Sequence, residues 1–371
     1  MSARDAQCGT IERTTAHVPA FADALADVDM NTNEAFFAVE NYFHIGAYDK
    51  AIEHVAVARA STSSGMEELA LAVFEARSNV ALGRAKVRAR ANEARTRRVS
   101  RFDAVDARRA EWRLDACTRM RDTNRSRVAS WLGQQIVIDS TSEDAPMPLR
   151  AVKLLARYTV GENAEGIVQE ITAMTEDMNG SQDATVQLMA ATIFSREGNV
   201  VDAMKCCHTG LSLELNAMMV NLLCMIDRPE LAEKQAKMMQ AVDDDSTIVQ
   251  LACAWAHVAS GGKKIQDASY IYQELGDKFA WTPKLHNGSA VCYMLMGAYD
   301  DAERELLEAI GKDAKNAETL ANLATCAAHL GKSSSRFINA IKALGVPSDA
   351  LAKIEGYEDD FARAAAAVAN A

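Results

Sequence analysis

One spacing of residues occurs three times in this 371-residue chain and constrains its fold more than any other feature. In each copy an aromatic residue is followed after four positions by glycine and after nine positions by alanine. The copies are Tyr42, Gly46, Tyr48, Ala51, Val55 and Ala58; Phe194, Gly198, Val200, Ala203, Cys207 and Gly210; and Tyr293, Gly297, Tyr299, Ala302, Leu306 and Ala309. Apolar residues three or four positions apart share one helix face, and glycine ends a helix in a tight turn.

Each copy therefore predicts two helices joined by a short turn. A small residue such as Ala290, three positions before Tyr293, lets the paired helices approach closely. A single hairpin cannot bury its apolar face, so successive hairpins stack. The spacing resembles the tetratricopeptide motif, and we expect an all-α fold: a right-handed α-solenoid of tetratricopeptide (TPR)-like helical hairpins whose first helices line a concave surface.

Weaker copies of the spacing centre on Ala232 and Ala268, and Leu323 lies in a further first helix. Prolines at 146, 148 and 347 interrupt helical runs. These features predict an N-terminal extension at 1–30, TPR-like hairpins at 31–86, an Arg-rich insertion at 87–134, a continuing solenoid at 135–346 and a C-terminal capping helix at 347–371.

The charge of the chain is unevenly distributed. The whole chain carries a formal net charge of −11, whereas residues 84–127 hold 15 Lys/Arg and 6 Asp/Glu. The acidic remainder repels nucleic-acid phosphates and anionic membranes. The basic block is open to three interpretations: a nucleic-acid or membrane-surface arm, a charged insertion looped out of the solenoid, or intron sequence retained in the gene model.

Motifs for catalysis and cofactor binding are missing from the sequence. Gly331-Lys332-Ser333 is only a fragment of a phosphate-binding loop, because Cys326 stands where the loop needs glycine. Cys253 and His257 lie one helical turn apart, but no neighbours complete a zinc site. We expect no catalytic residue, no cofactor, no metal and no membrane-spanning segment, and a cytoplasmic protein with reduced thiols.

A concave TPR surface binds proteins, and aromatic side chains supply much of the energy where such a surface is desolvated. The sequence assigns four aromatic residues to first helices: Tyr42, Phe194, Trp255 and Tyr293. Most aromatic residues in a solenoid pack between hairpins. These four are nevertheless the candidate partner-binding residues.

The segment SLELNAMMVNLLCMIDRPELAEKQAKMMQAVDDDSTIVQLACAWAHVASGGKKIQDASYIYQELGDKF resembles the epsilon-subunit family of coatomer. Its GGKKIQDA turn is not part of the general TPR consensus. The similarity continues through LHNGSAVCYMLMGAYDDAERELLEAI and into YEDDFAR, and it is weaker in FFAVENYFHIGAYDKAIEHV. Nothing comparable to residues 87–134 is expected in that family.

This resemblance implies a non-enzymatic subunit of the COPI vesicle coat that binds and stabilises the C-terminal domain of the coatomer alpha subunit. It implies indirect association with other coatomer subunits and, through the coat alone, with Golgi membranes and vesicles in retrograde Golgi-to-ER and intra-Golgi transport. Two alternatives stay open: a cytosolic TPR adaptor for a protein tail such as that of a chaperone, and an enzyme or nucleic-acid-binding protein that uses the Arg-rich block.

Overall fold

The computed structural model describes residues 34–62, 64–82, 141, 145–344 and 349–369. The predicted extension at 1–30 and the insertion at 87–134 lie outside the described residues. Every regular element of the described part is a helix. The first three helices, which we call the arm (residues 34–82), are α1 (Glu34–His44), α2 (Tyr48–Ser61) and α3 (Gly65–Leu82).

The fourteen remaining helices of the described part form the solenoid and its end. They are α4 (Met147–Val160), α5 (Ala164–Glu176), α6 (Met178–Ser181), α7 (Ala184–Arg196), α8 (Val200–Cys207), α9 (Leu213–Met225), α10 (Pro229–Gln240), α11 (Thr247–Ser260), α12 (Lys264–Lys278), α13 (Pro283–Leu295), α14 (Tyr299–Lys312), α15 (Ala317–His329), α16 (Ser335–Leu344) and α17 (Asp349–Ala369).

From α7 to α16 the helices pair into five antiparallel hairpins, and each second helix also packs against the first helix of the next hairpin. The first helices are α7, α9, α11, α13 and α15. Several first helices begin with a side chain that accepts a hydrogen bond from a free backbone N–H, as Asp183 and Asn316 do. The stacking of hairpins confirms the predicted all-α, TPR-like solenoid.

The predicted register is confirmed at its small residues and at its turns. At the corresponding position of α2, α8, α10, α12 and α14 one alanine is fully buried: Ala51, Ala203, Ala232, Ala268 and Ala302. This includes the two weaker copies. Gly46, Gly198 and Gly297 have φ values of 85°, 78° and 79°. In the α9–α10 turn the corresponding residue is Asp227, with φ of 56°, because aspartate tolerates the left-handed region better than most side chains.

The apolar core is a series of clusters between neighbouring hairpins. One cluster joins α4, α5 and α7 to α8 and α9, and another joins α9 to α11. Two more extend from α11 to α13 and from α13 to α16. Packing within each hairpin and packing against its neighbours therefore both stabilise the solenoid, as in other repeat proteins.

The last helix, α17, contacts α15 and α16. Its described side chains from Gly356 onward are exposed, including Tyr357, Phe361 and Val368. Most of the surface of these three side chains faces water. The predicted domain boundaries, including the capping helix, stay predictions.

Candidate partner-binding surface

Apolar side chains remain exposed where two first helices end. At the end of α9, Met225 is 57% and Ile226 is 39% exposed, and at the end of α13, Leu295 is 53% and Met296 is 37% exposed. We call these four residues the exposed helix ends. They occupy corresponding positions because each first helix must stop before the left-handed turn residue, Asp227 or Gly297.

A shallow cleft of about 260 Å³ adjoins the end of α13. Its walls are apolar side chains of α13 and the rings of Tyr299 and His329, which stack with their centroids 4.5 Å apart. The remaining lining residues are Val291, Met294, Leu295 and Thr325. An apolar cleft of this kind can accept an aliphatic or aromatic side chain of a protein partner.

The four aromatic residues predicted from the sequence do not form one surface. Phe194 is 5% exposed and packs in the cluster around α7. Tyr42 and Trp255 are half-buried, and both pack against a different cluster, the one that extends from α11 to α13. Tyr293 packs in the next cluster, and its hydroxyl accepts a hydrogen bond from Gln273 at 3.1 Å.

These placements follow from the ordinary role of aromatic residues between stacked hairpins. Tyr42 stacks on His54 at 4.9 Å and meets the edge of Phe279. Tyr293 also lines an open, charged cleft of about 330 Å³ formed with α14. Phe194 is thus unavailable to a partner in the folded chain, whereas partner contact by Tyr42, Trp255 and Tyr293 stays a prediction.

Sequence reasoning missed the exposed helix ends. The signal was present in NLLCMID and CYMLMGA, where the apolar run continues up to the turn. Only one face of such a helix packs against the core, and these last residues lie outside that face. Exposed apolar residues that lie at corresponding positions of successive hairpins are candidates for a docking surface.

Among the described residues, no group of three or more His, Cys, Asp or Glu side chains could hold a metal ion. Burial raises the pKa of Cys206 to about 11 and that of Cys292 to about 12, so both thiols stay protonated and weakly nucleophilic at neutral pH. Within the same residues, no helix is long and apolar enough to cross a membrane.

The family model described as "Coatomer epsilon subunit" matches residues 120–369. The chain belongs to the coatomer epsilon subunit family. The match begins inside the predicted insertion at 87–134, so residues 120–134 belong to the predicted insertion and also to the range that the family model matches.

Curated members of the coatomer epsilon family share substantial identity with this chain. It is 44% identical to "Coatomer subunit epsilon-1" of Arabidopsis thaliana over 62% of this chain and 79% of that relative. It is 43% identical to the subunit epsilon-1 of Oryza sativa subsp. japonica, covering 63% and 82% respectively. The subunit epsilon of Dictyostelium discoideum is 33% identical, with 54% and 69% covered.

Among solved structures, a tetratricopeptide repeat protein from Parabacteroides merdae is similar at a TM-score of 0.48 and 12% identity. The similarity covers 66% of this chain and 96% of that one.

Proposed function

We propose that this coatomer epsilon family member binds the C-terminal domain of the coatomer alpha subunit as a non-enzymatic structural subunit of the COPI coat. The single observation that carries the binding proposal is the group of exposed helix ends. Family membership supports a place in the coat. The alpha-subunit domain as the partner comes from the sequence resemblance.

The physical argument concerns apolar area. Met225, Ile226, Leu295 and Met296 all lie at ends of first helices, and each gains free energy when a partner removes it from water. Fully burying a fully exposed side chain of this kind gains roughly 1.5–3 kcal/mol, so each of these residues, which are 37–57% exposed, gains about half of that. A partner that lies along this end of the first helices removes all four side chains from water together.

The proposed subunit acts by holding its partner and catalyses nothing. Membership of the coatomer epsilon subunit family supports this view. Its association with Golgi membranes and COPI vesicles, in retrograde and intra-Golgi transport, would occur through the other coatomer subunits.

A pull-down from cytosol tests the proposal with the full chain as bait. The test variant is Met225→Glu/Leu295→Glu, which places charges on the exposed helix ends. The matched control is Leu231→Glu/Met238→Glu, because these residues are 51% and 49% exposed but lie on the second helix α10. In both double variants, glutamate replaces one leucine and one methionine, and the replaced residues have similar exposure in the two variants.

We expect the wild-type chain and the control variant to recover the coatomer alpha subunit in near-equal molar amount. The test variant should lose most of it, since placing a charge in a buried apolar contact costs several kcal/mol unless the charge is paired. Equal recovery by both variants would contradict the assigned surface. Recovery of a chaperone without coatomer would favour the TPR-adaptor alternative.

A further inference from the structure

The arm contacts the solenoid in two places. Its helix α3 packs beside α4, and its other residues contact hairpins that lie about 200 residues further along the chain. Ile45, in the turn between α1 and α2, is fully buried in the cluster formed by α11, α12 and α13. The arm thus covers the N-terminal ends of three successive first helices, α9, α11 and α13.

Main-chain groups of the arm are recognised by side chains of the solenoid. The Thr282 hydroxyl donates a hydrogen bond to the Ile45 carbonyl oxygen at 2.6 Å, and Lys284 Nζ donates to the His44 carbonyl oxygen at 3.1 Å. The hydroxyl of Thr247 donates to the side-chain oxygen of Asn41. The main-chain carbonyl groups of His44 and Ile45 lie at the C-terminal end of α1, where they have no hydrogen-bond donor within the helix. The side chains of the solenoid supply these donors.

One ion pair fastens the arm at the start of α9. Arg77 of α3 donates two hydrogen bonds to Glu214, at 2.8 and 2.9 Å. The guanidinium lies 4.5 Å from the ring centroid of Phe43, and His44 Nε2 is 3.7 Å from Glu214. The Arg77 side chain is only 11% exposed. A two-hydrogen-bond pair with an aromatic ring against the guanidinium specifies one docking geometry.

The arm has an apolar core of its own, and its contact with the solenoid is partly apolar and partly polar: Ile45 is fully buried in the α11–α13 cluster, and Val73 belongs to the cluster around α4 and α7. Val39, Val55, Leu71 and Phe74 form a cluster within the arm. By contrast, the docking contacts bury charged and amide groups, and Asn41 Nδ2 has no hydrogen-bond partner among the described residues. Burying such groups costs free energy that their pairing only partly returns, so the polar part of the docking adds little net free energy.

We propose that the N-terminal ends of α9, α11 and α13 form a second polypeptide-binding site, which the chain's own α1–α2 turn occupies, and that the arm can leave it without unfolding of the solenoid. The site fits a helix end followed by an isoleucine. Thr282 and Lys284 bind the main chain, a pocket holds the Ile45 side chain, and Glu214 binds an arginine.

Hydrogen–deuterium exchange of the full chain tests this proposal. The variant Arg77→Met leaves Glu214 without its partner, a change that weakens docking. The matched control is Arg59→Met, because Arg59 pairs with Glu75 at 2.7 Å between α2 and α3, inside the arm. A third variant, Arg77→Met/Glu214→Gln, removes both charges and leaves none buried alone.

We expect Arg77→Met to speed exchange in segments 41–47 and 282–286 on the order of 10- to 100-fold, as for a weakened buried pair. Exchange at 302–309 in α14 should stay at the wild-type rate. The control should leave segment 282–286 unchanged, and the double variant should restore most of the protection.

Three results would overturn the proposal. Exchange at 282–286 that is identical in wild type and Arg77→Met would show that the ion pair does not hold the arm. An equal rise at 302–309 would show that arm and solenoid open as one unit. Protection of 282–286 that falls on dilution would assign the contact to a second copy of the chain.

Discussion

Replacing Glu40 by glutamine should stabilise the protein at neutral and alkaline pH and have little effect in acid. Glu40 lies on α1 among charged groups of the arm and the solenoid. Burial raises its pKa from 4.5 to about 7, the negative charges of Glu214 and Asp243 act in the same direction, and Arg77 opposes them. The folded protein therefore holds this proton up to neutral pH, whereas the unfolded chain releases it near pH 4.5.

The size of this change in stability follows from the difference between the pKa of Glu40 in the folded protein and its pKa in the unfolded chain. A carboxyl group with a raised pKa contributes fully to stability below pH 4.5, and this contribution is lost as the pH rises to about 7. One pKa unit corresponds to about 1.4 kcal/mol, so ionised Glu40 costs about 3 kcal/mol at pH 8 and less than about 1 kcal/mol at pH 5. Glutamine has the same shape and carries no charge at either pH.

Urea unfolding of wild type and Glu40→Gln between pH 5 and pH 8 measures this difference. Burial lowers the pKa of His44 to about 4, so its protonation in the unfolded chain also costs stability below pH 6.5. Because both proteins keep His44, its effect cancels in the difference. Glu53→Gln, at an exposed position of α2, controls for the loss of one negative charge.

We expect Glu40→Gln to gain about 2–3 kcal/mol over wild type at pH 8 and under about 1 kcal/mol at pH 5. A gain of the same size at both pH values would refute the reasoning, since it would not come from ionisation. A loss at pH 8 would show that ionised Glu40 makes a favourable contact in the folded protein.

Three further predictions concern substitutions of glycine by alanine. Gly297→Ala should destabilise the protein by about 1–2 kcal/mol, because a side chain at φ of 79° is strained. Gly311→Ala should stabilise it by about 0.5–1 kcal/mol, because Gly311 lies in α14 with open space around it and alanine favours the helix. Thermal unfolding of both variants checks the opposite signs. Gly288→Ala should cost about 1–3 kcal/mol, because its new methyl group would collide with the ring of Tyr272 in the α12–α13 contact. An unchanged midpoint for Gly288→Ala would show that this ring can move aside.

The repeat architecture could be predicted from the sequence because it depends on local spacing. Ala232 and Ala268 lack the aromatic residue and simple turn of the stronger copies, yet both occupy the buried position that the spacing assigns. A helical hairpin is specified within about 34 residues, so a single sequence carries enough information to locate it. The left-handed turn at Asp227 was not predicted, although Asp227 precedes Ala232 by the same five positions that separate Gly297 from Ala302, because aspartate in sequence does not indicate a positive φ as glycine does.

The docking of the arm could not be predicted, because it joins residues far apart in the chain. Nothing local to Arg77 indicates Glu214, and nothing local to Ile45 indicates Thr282. The four candidate partner residues lie in three different clusters for a related reason. An aromatic residue on a first helix can face the next hairpin or the concave surface, and the helical period alone does not distinguish them.

Direct binding of the full chain to the C-terminal domain of the coatomer alpha subunit tests the central claim. Size-exclusion chromatography with light scattering on the mixed purified proteins measures the mass of any complex. The account predicts a single peak whose mass is that of one copy of each protein. Two separate peaks, each with the mass of one protein alone at micromolar concentration, would contradict it.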